Sequence, residues 1–171
     1  TIITEAPAAM NKKYPKSTDI EKQNQSRARA FIHLYLKVNF GLLDFCEREH
    51  FITDGSYDGG IDGYYIHIET KTIYFIQSKF RINDTNFENK QIDLNEILVM
   101  DVNRILDGED SDEQSNQYNG KIQQLQREIS KIEDIARYSY QVIILANLKD
   151  VKPSDLRKLT GGFSCSVFDF N

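Results

Sequence analysis

The run "IYFIQ", Ile73 to Gln77, places apolar side chains at four successive positions before its first polar one. Successive residues of a strand point to opposite faces, so a strand of this composition must be covered on both. A sheet with helices packed on either side supplies two such covers. The segment before it obeys a different rule: Tyr64, Ile66 and Ile68 alternate with Tyr65, His67 and Glu69, the period of a half-buried strand. Only "ETKT" lies between the two segments, which predicts a tight antiparallel hairpin.

The flanking sequence supplies helices. "STDIE" predicts a helix start, with Thr18 as N-cap and Glu21 in capping-box position. Phe31, Leu34, Tyr35 and Val38 then fall on one helical face, and the helix is predicted to end near Phe40-Gly41. "HFITDG" reads as a short strand running into a turn. Downstream, Leu94, Leu98, Val102 and Ile105 form one helical stripe, and Tyr118, Ile122, Leu125, Ile129, Ile132 and Ala136 a longer one. The acidic "DGEDSDEQSNQ" between them reads as a solvated loop. "QVIILANL" is a further buried strand, "KPSDLRKLT" a short helix with Pro153 near its start, Gly161-Gly162 a break, and "SCSVFDF" a last strand. The order predicts an α/β protein with a central mixed sheet flanked by helices. Residues 1–16, with Pro7 and Pro15, read as a loose lead-in, and 17–171 as one domain. The chain starts without Met and stops within a predicted strand, so it is expected to be a piece of a longer protein whose C-terminal domains are its partners.

Composition narrows the function. A chain of 171 residues that is 40% hydrophobic can bury one core. Its net charge of -5 excludes a global basic field, so any attraction to nucleic acid has to be local or carried by a metal ion. Lys12, Lys13, Lys16, Arg27 and Arg29 make the N-terminal part the most basic, and read as a solvated face. Cys46 and Cys165 are isolated and need neither a disulfide nor a metal. His33, His50 and His67 lack zinc-ligand spacing, and Gly161-Gly162 lacks the lysine and helix of a phosphate loop. No apolar run reaches the roughly 18 residues of a membrane span, and the N-terminus lacks signal-peptide order. A soluble, cytoplasmic protein is expected.

Chemistry concentrates in "TDGSYDGGIDGYYIHIETKTIYFIQSKF", Thr53 to Phe80. Gln77 and Lys79 are two apart and share a face, while Ser78 turns away. Across the predicted hairpin stands Asp62, preceded by Gly59-Gly60, which let the backbone approach closely. Asp54 and Asp58 read as ordinary residues of an Asp- and Gly-rich turn. A carboxylate, an amide oxygen and an ammonium group gathered at one end of two paired strands suit a hard cation beside a phosphodiester. Mg²⁺ would polarise the phosphate and acidify a water, while the lysine orients that water or offsets charge on the phosphorane.

"GGID" followed by "QSK" resembles the PD-(D/E)xK restriction-endonuclease-like nucleases, in the variant where glutamine replaces the second acidic residue, as in Mrr-like enzymes. The fuller string from Thr53 to Phe80 is similar to the N-terminal region of abortive infection phage resistance proteins. The resemblance implies a three-layer restriction-endonuclease-like fold. It makes Asp62 the metal-binding aspartate, Gln77 the position normally acidic, and Lys79 the catalytic lysine, with the Ser78 carbonyl as a further metal ligand. Relatives often place an acidic residue on the first helix; here Glu21, Glu47 and Glu49 are the candidates.

These readings imply a Mg²⁺-dependent endonuclease, with Mn²⁺ as substitute, that cuts DNA in phage defence or restriction. The alternatives are a catalytically silent module of the same fold that binds nucleic acid or protein, and an assembly domain whose helices pair with another subunit. The stripe from Tyr118 to Ala136 is longer than one sheet face needs, which predicts a homodimer. Gln77→Glu is expected to strengthen cation binding by adding a charge.

Overall fold

The computed structural model describes residues 2–81, 92–149 and 151–169. Its centre is a four-stranded mixed sheet of order β1-β2-β3-β4, made of Gly63–His67, Thr72–Ser78, Ser139–Leu145 and Ser164–Phe168. β1 and β2 form the predicted antiparallel hairpin, with Gly63 opposite Ile76 and His67 opposite Thr72. β2 then pairs in parallel with β3, Gln77 opposite Ile144 and Ser78 opposite Leu145, and β3 in parallel with β4. Phe170, counted in the predicted last strand, lies outside the described residues.

Alternation along β2 and β3 sorts their side chains into two cores. Ile76, Ile143 and Leu145 meet Ile32 and Leu36 of the long helix α2, Ile20–Phe40. Ile73, Phe75, Val142 and Ile144 meet the opposite layer, formed by α4 (Val102–Leu106) and α5 (Gly120–Ser130). α6 (Pro153–Leu159) adds Leu156 and Leu159 to that second layer. Helices therefore cover the sheet on both faces, as the composition of Ile73–Gln77 requires. Among the described residues no helix is long and apolar enough to cross a membrane.

Four local readings change. The N-cap of α2 is Asp19 rather than Thr18, its carboxylate accepting from the amides of Glu21 and Lys22, while Gly41 closes the helix in the left-handed conformation at φ 69°. The inward face of α2 carries Ile32 and Leu36 beside Arg29 and His33, and leaves Leu34 and Val38 exposed. The stripe from Leu94 to Ile105 is not one helix: a 3-10 turn at Leu94–Glu96 is followed by extended backbone at Ile97 and by α4. Helix is interrupted there because the Leu98 backbone is engaged by the side chain of Gln77. α5 stops at Ser130, and Tyr118, Ile122, Leu125 and Ile129 are buried against this chain's own sheet, which removes the ground for inferring a dimer from that stripe.

"HFITDG" supplies a single bridge, Ile52 to Gly63, preceded by helix α3 (Phe45–His50). Nor is the N-terminal segment loose. Helix α1, Ile2–Glu5, docks on the rest of the chain as Glu5 pairs with Lys37 and with Arg48. Tyr14 is 3% exposed, and its hydroxyl donates to Glu49 Oε2 at 2.6 Å.

Candidate active site

Asp62 sits immediately before β1 and is held from both sides of the hairpin. Its amide donates to the Ile76 carbonyl at 2.8 Å, and its Oδ2 accepts the Ser78 amide at 2.7 Å. Ser78 in turn donates its hydroxyl to the Ala28 carbonyl of α2 at 2.8 Å, fastening the end of β2 to the helix layer. Lys79 follows directly, anchored by its amide to the Leu145 carbonyl at 2.9 Å. Asp62, Gln77, Ser78 and Lys79 all line one cleft of about 390 Å³ between the hairpin end and α2.

The Gly59-Gly60 pair performs the close approach expected of it. Gly60 has φ 73°, and a Cβ there would stand 2.5 Å from the Val99 carbonyl oxygen. The turn ahead of it folds back so that Asp54, Asp58 and Asp62 bring carboxylate oxygens within 4.8 Å of one another. Sequence reasoning assigned Asp54 and Asp58 to the turn alone. Asp58 does organise that turn, accepting the Gly55 and Gly60 amides at 3.1 and 2.9 Å, but it does so facing the cleft.

The electrostatics of Asp58 and Asp62 are unfavourable without a further counter-charge. Burial pushes the Asp58 carboxyl up to about 6, and the charge of Asp54 adds to the effect. Burial raises Asp62 well above the usual carboxylate range, with Asp58 and Asp54 reinforcing it and Lys79 opposing. A divalent cation fits this cluster: the oxygens lie at the separations of a shared oxygen shell, and Asp62 Oδ1 and Asp54 Oδ1 accept no hydrogen bond from the described residues.

Gln77 lines the cleft in a different manner from the one anticipated. It is 3% exposed; Nε2 donates to the carbonyls of Gly60 and Leu98 at 2.7 and 3.1 Å, and Oε1 accepts the Leu98 amide at 2.8 Å. The amide thus clamps the glycine turn and the Leu98 segment to the end of β2. A glutamate has no donors for those two carbonyls and would set a charge against them. Gln77→Glu is therefore expected to destabilise the fold by about 2–4 kcal/mol, with no gain in cation affinity. Chemical denaturation beside calorimetric titration with Mn²⁺ checks both parts, and unchanged stability with tighter binding would refute the clamp.

Glu21 and Glu47 are exposed and lie outside the cleft lining, as does Glu49. Glu49 is buried in a polar core of its own. Its Oε1 accepts from Lys13 Nζ and Arg29 Nη2, each at 2.8 Å, and its Oε2 from Tyr14, with His33 Nε2 at 3.0 Å. Burial alone would raise its pKa; the bonds from His33, Lys13 and Tyr14 and the charge of Arg29 hold it far below the usual range. Arg48 Nε donates to His33 Nδ1 at 3.3 Å, which makes that nitrogen the acceptor, and burial lowers the imidazole's pKa against the opposing pull of Glu49. Arg29 joins this core to the cleft, with Nη1 on Asp54 Oδ2 at 2.9 Å. α2 contributes Asn24, Gln25 and Ala28 to the cleft wall, and the turn contributes Tyr57. None of these carried a signal in the sequence, because amide side chains on a helix are ordinarily solvated.

The raised carboxyls have a consequence for stability. A group whose pKa rises on folding contributes stability that is present below its unfolded value, about 4, and lost as pH climbs through the folded value, about 6 for Asp58. The metal-free aspartate cluster should thus weaken the fold toward alkaline pH, where a bound cation relieves it and meets no competition from protons. Millimolar Mn²⁺ is expected to raise the melting temperature several degrees more at about pH 8 than at about pH 5. Equal shifts at the two pH values, measured against chelator, would refute the cluster as the binding site.

No protein-family model, curated protein or solved structure matches this chain.

Proposed function

We propose that the cleft is the active site of a Mg²⁺-dependent endonuclease domain with a restriction-endonuclease-like fold that hydrolyses DNA phosphodiester bonds, in phage defence or restriction. The observation that carries this reading is the convergence of three carboxylates and one lysine at the paired ends of β1 and β2. The α/β/α layering and the mixed sheet, whose first hairpin presents Asp62 and Lys79, support it further.

Asp62 would be the main ligand, with Asp54 and Asp58 contributing directly or through water. When bound, Mg²⁺ supplies Lewis acidity at the scissile phosphate and lowers the pKa of an attacking water. The ammonium of Lys79 has no hydrogen-bond or ion-pair partner among the described residues, so it is available to orient that water and to offset charge on the phosphorane. The Ser78 amide holds the Asp62 carboxylate in one orientation, and the Gln77 clamp fixes the spacing between the glycine turn and β2. Tyr57, exposed on the turn that borders the cleft, offers a ring face to an unpaired base.

One observation favours the second reading, a nucleic-acid-binding module without cleavage. The amide of Gln77 is committed to backbone groups, so it adds no ligand to the aspartates and the Ser78 carbonyl. A supercoiled-plasmid time course separates the two readings. Nicked or linear product with Mg²⁺ or Mn²⁺ and none with chelator is the expected result; binding of DNA without any cleavage selects the silent module.

A further inference from the structure

Beside the cleft lies a second hollow of about 380 Å³, lined by Lys12, Lys13, Lys22, Gln25, Ser26 and Arg29, with Asp54 on its rim. Four of its side chains are cationic and one is anionic, in a chain whose net charge is -5. The N-terminal lysines read from the sequence as a solvated face, and the fold instead collects two of them around a concavity with Lys22 and Arg29. Lys12 and Lys22 carry no ion pair among the described residues, and Lys13 reaches Glu49 while staying half-exposed.

Arg29 is 8% exposed and lines the hollow between the lysines. The Arg29 guanidinium is fixed at both ends, Nη2 on Glu49 and Nη1 on Asp54, so its position does not depend on a ligand. The ammonium groups of Lys12, Lys13 and Lys22 around this fixed guanidinium match the several acceptor oxygens of a phosphate.

The hollow and the cleft share Gln25 and Asp54 in their walls. We propose that the hollow is a phosphate subsite that holds a backbone phosphate of the nucleic-acid strand next to the one presented at Asp62 and Lys79. Assignment of that phosphate to a nucleic-acid strand rests on the nuclease reading. The binding of phosphate does not.

The test is fluorescence anisotropy of a labelled DNA duplex over a salt series, in chelator and in Ca²⁺, with the wild type, the Lys12→Ala/Lys22→Ala double variant and Ser26→Ala. The double variant is expected to bind roughly tenfold more weakly, with a salt dependence reduced by about two released counterions and an unchanged melt. Ser26→Ala, whose hydroxyl is sealed from the hollow, should bind and melt like the wild type and serves as the control. Equal affinity and salt slope in all three proteins overturns the proposal, as does a wild type that binds no duplex in either condition. Inorganic phosphate provides the second arm: protection of the wild type but not of the double variant by free phosphate, with duplex affinity unchanged in the double variant, overturns the assignment to a strand. Loss of duplex binding in the double variant of a protein that never cuts plasmid leaves the subsite standing and fails the nuclease reading instead.

Discussion

Lys79→Ala is expected to reduce metal-dependent plasmid cleavage by about 10²- to 10³-fold while the protein stays folded. Lys79 follows β2 directly, where its backbone is pinned by Leu145, so its ammonium is presented to the cleft from a rigid element. A preorganised charge of this kind acts on charge that develops only in the transition state, so its removal should be felt in rate rather than in substrate binding. The same side chain has no hydrogen-bond or ion-pair partner among the described residues, so the variant's stability should lie within about 0.5 kcal/mol of the wild type. Binding of Mn²⁺ should persist. A well-folded variant that cuts at the wild-type rate would remove Lys79 from the chemistry.

Asp62→Asn should separate stability from function in the opposite direction. In the metal-free protein Asp62 is a buried carboxylate facing Asp54 and Asp58, and both burial and the like charges oppose its ionised form. Asparagine keeps an oxygen to accept the Ser78 amide and discards the charge. The metal-free variant is therefore expected to be more stable at neutral pH, on the order of 1–2 kcal/mol, or several degrees in melting temperature. It should also lose high-affinity binding of Mn²⁺ and, with it, about 10³-fold or more in cleavage. Thermal melts in chelator and calorimetric titration give the two halves independently. A destabilised variant that still binds Mn²⁺ would show that Asp62 is a structural hairpin residue.

The pattern of these effects explains which parts of the molecule were legible in the sequence. β2 was legible because burial on both faces leaves no room for polar residues until the strand reaches the cleft, so its composition records its position. The end of α2 at Gly41 was legible for a local reason, the left-handed conformation that glycine adopts at little cost. Its inward face was not, because Arg29 and His33 are buried by pairing with Glu49 and Arg48, and apolar periodicity is blind to a buried polar core. The break between Leu94 and Val102 was equally hidden, since it is imposed by the side chain of Gln77, far away in sequence.

In the site itself, hairpin length set Asp62 against the end of β2, but strand parity did not sort the rest: β2 ends at Ser78, Lys79 follows it, and Ser78 lines the same cleft as Gln77 and Lys79. Asp54 and Asp58 could not be placed, because an aspartate that closes a glycine turn and one that also faces a cation have the same local sequence. Only the pairing of Ile52 with Gly63 and the return of the turn toward β2 bring their carboxylates to Asp62.

The proposed function depends on a divalent cation occupying one place. The direct measurement is anomalous diffraction from crystals of the wild-type protein soaked in Mn²⁺. A peak within coordination distance, about 2.2 Å, of an Asp62 oxygen, with Asp54 or Asp58 in its shell and Lys79 beside it, is the expected result. A cleft without a peak at saturating Mn²⁺, or a peak bound elsewhere with Asp62 still hydrogen-bonded only to Ser78, would contradict the account.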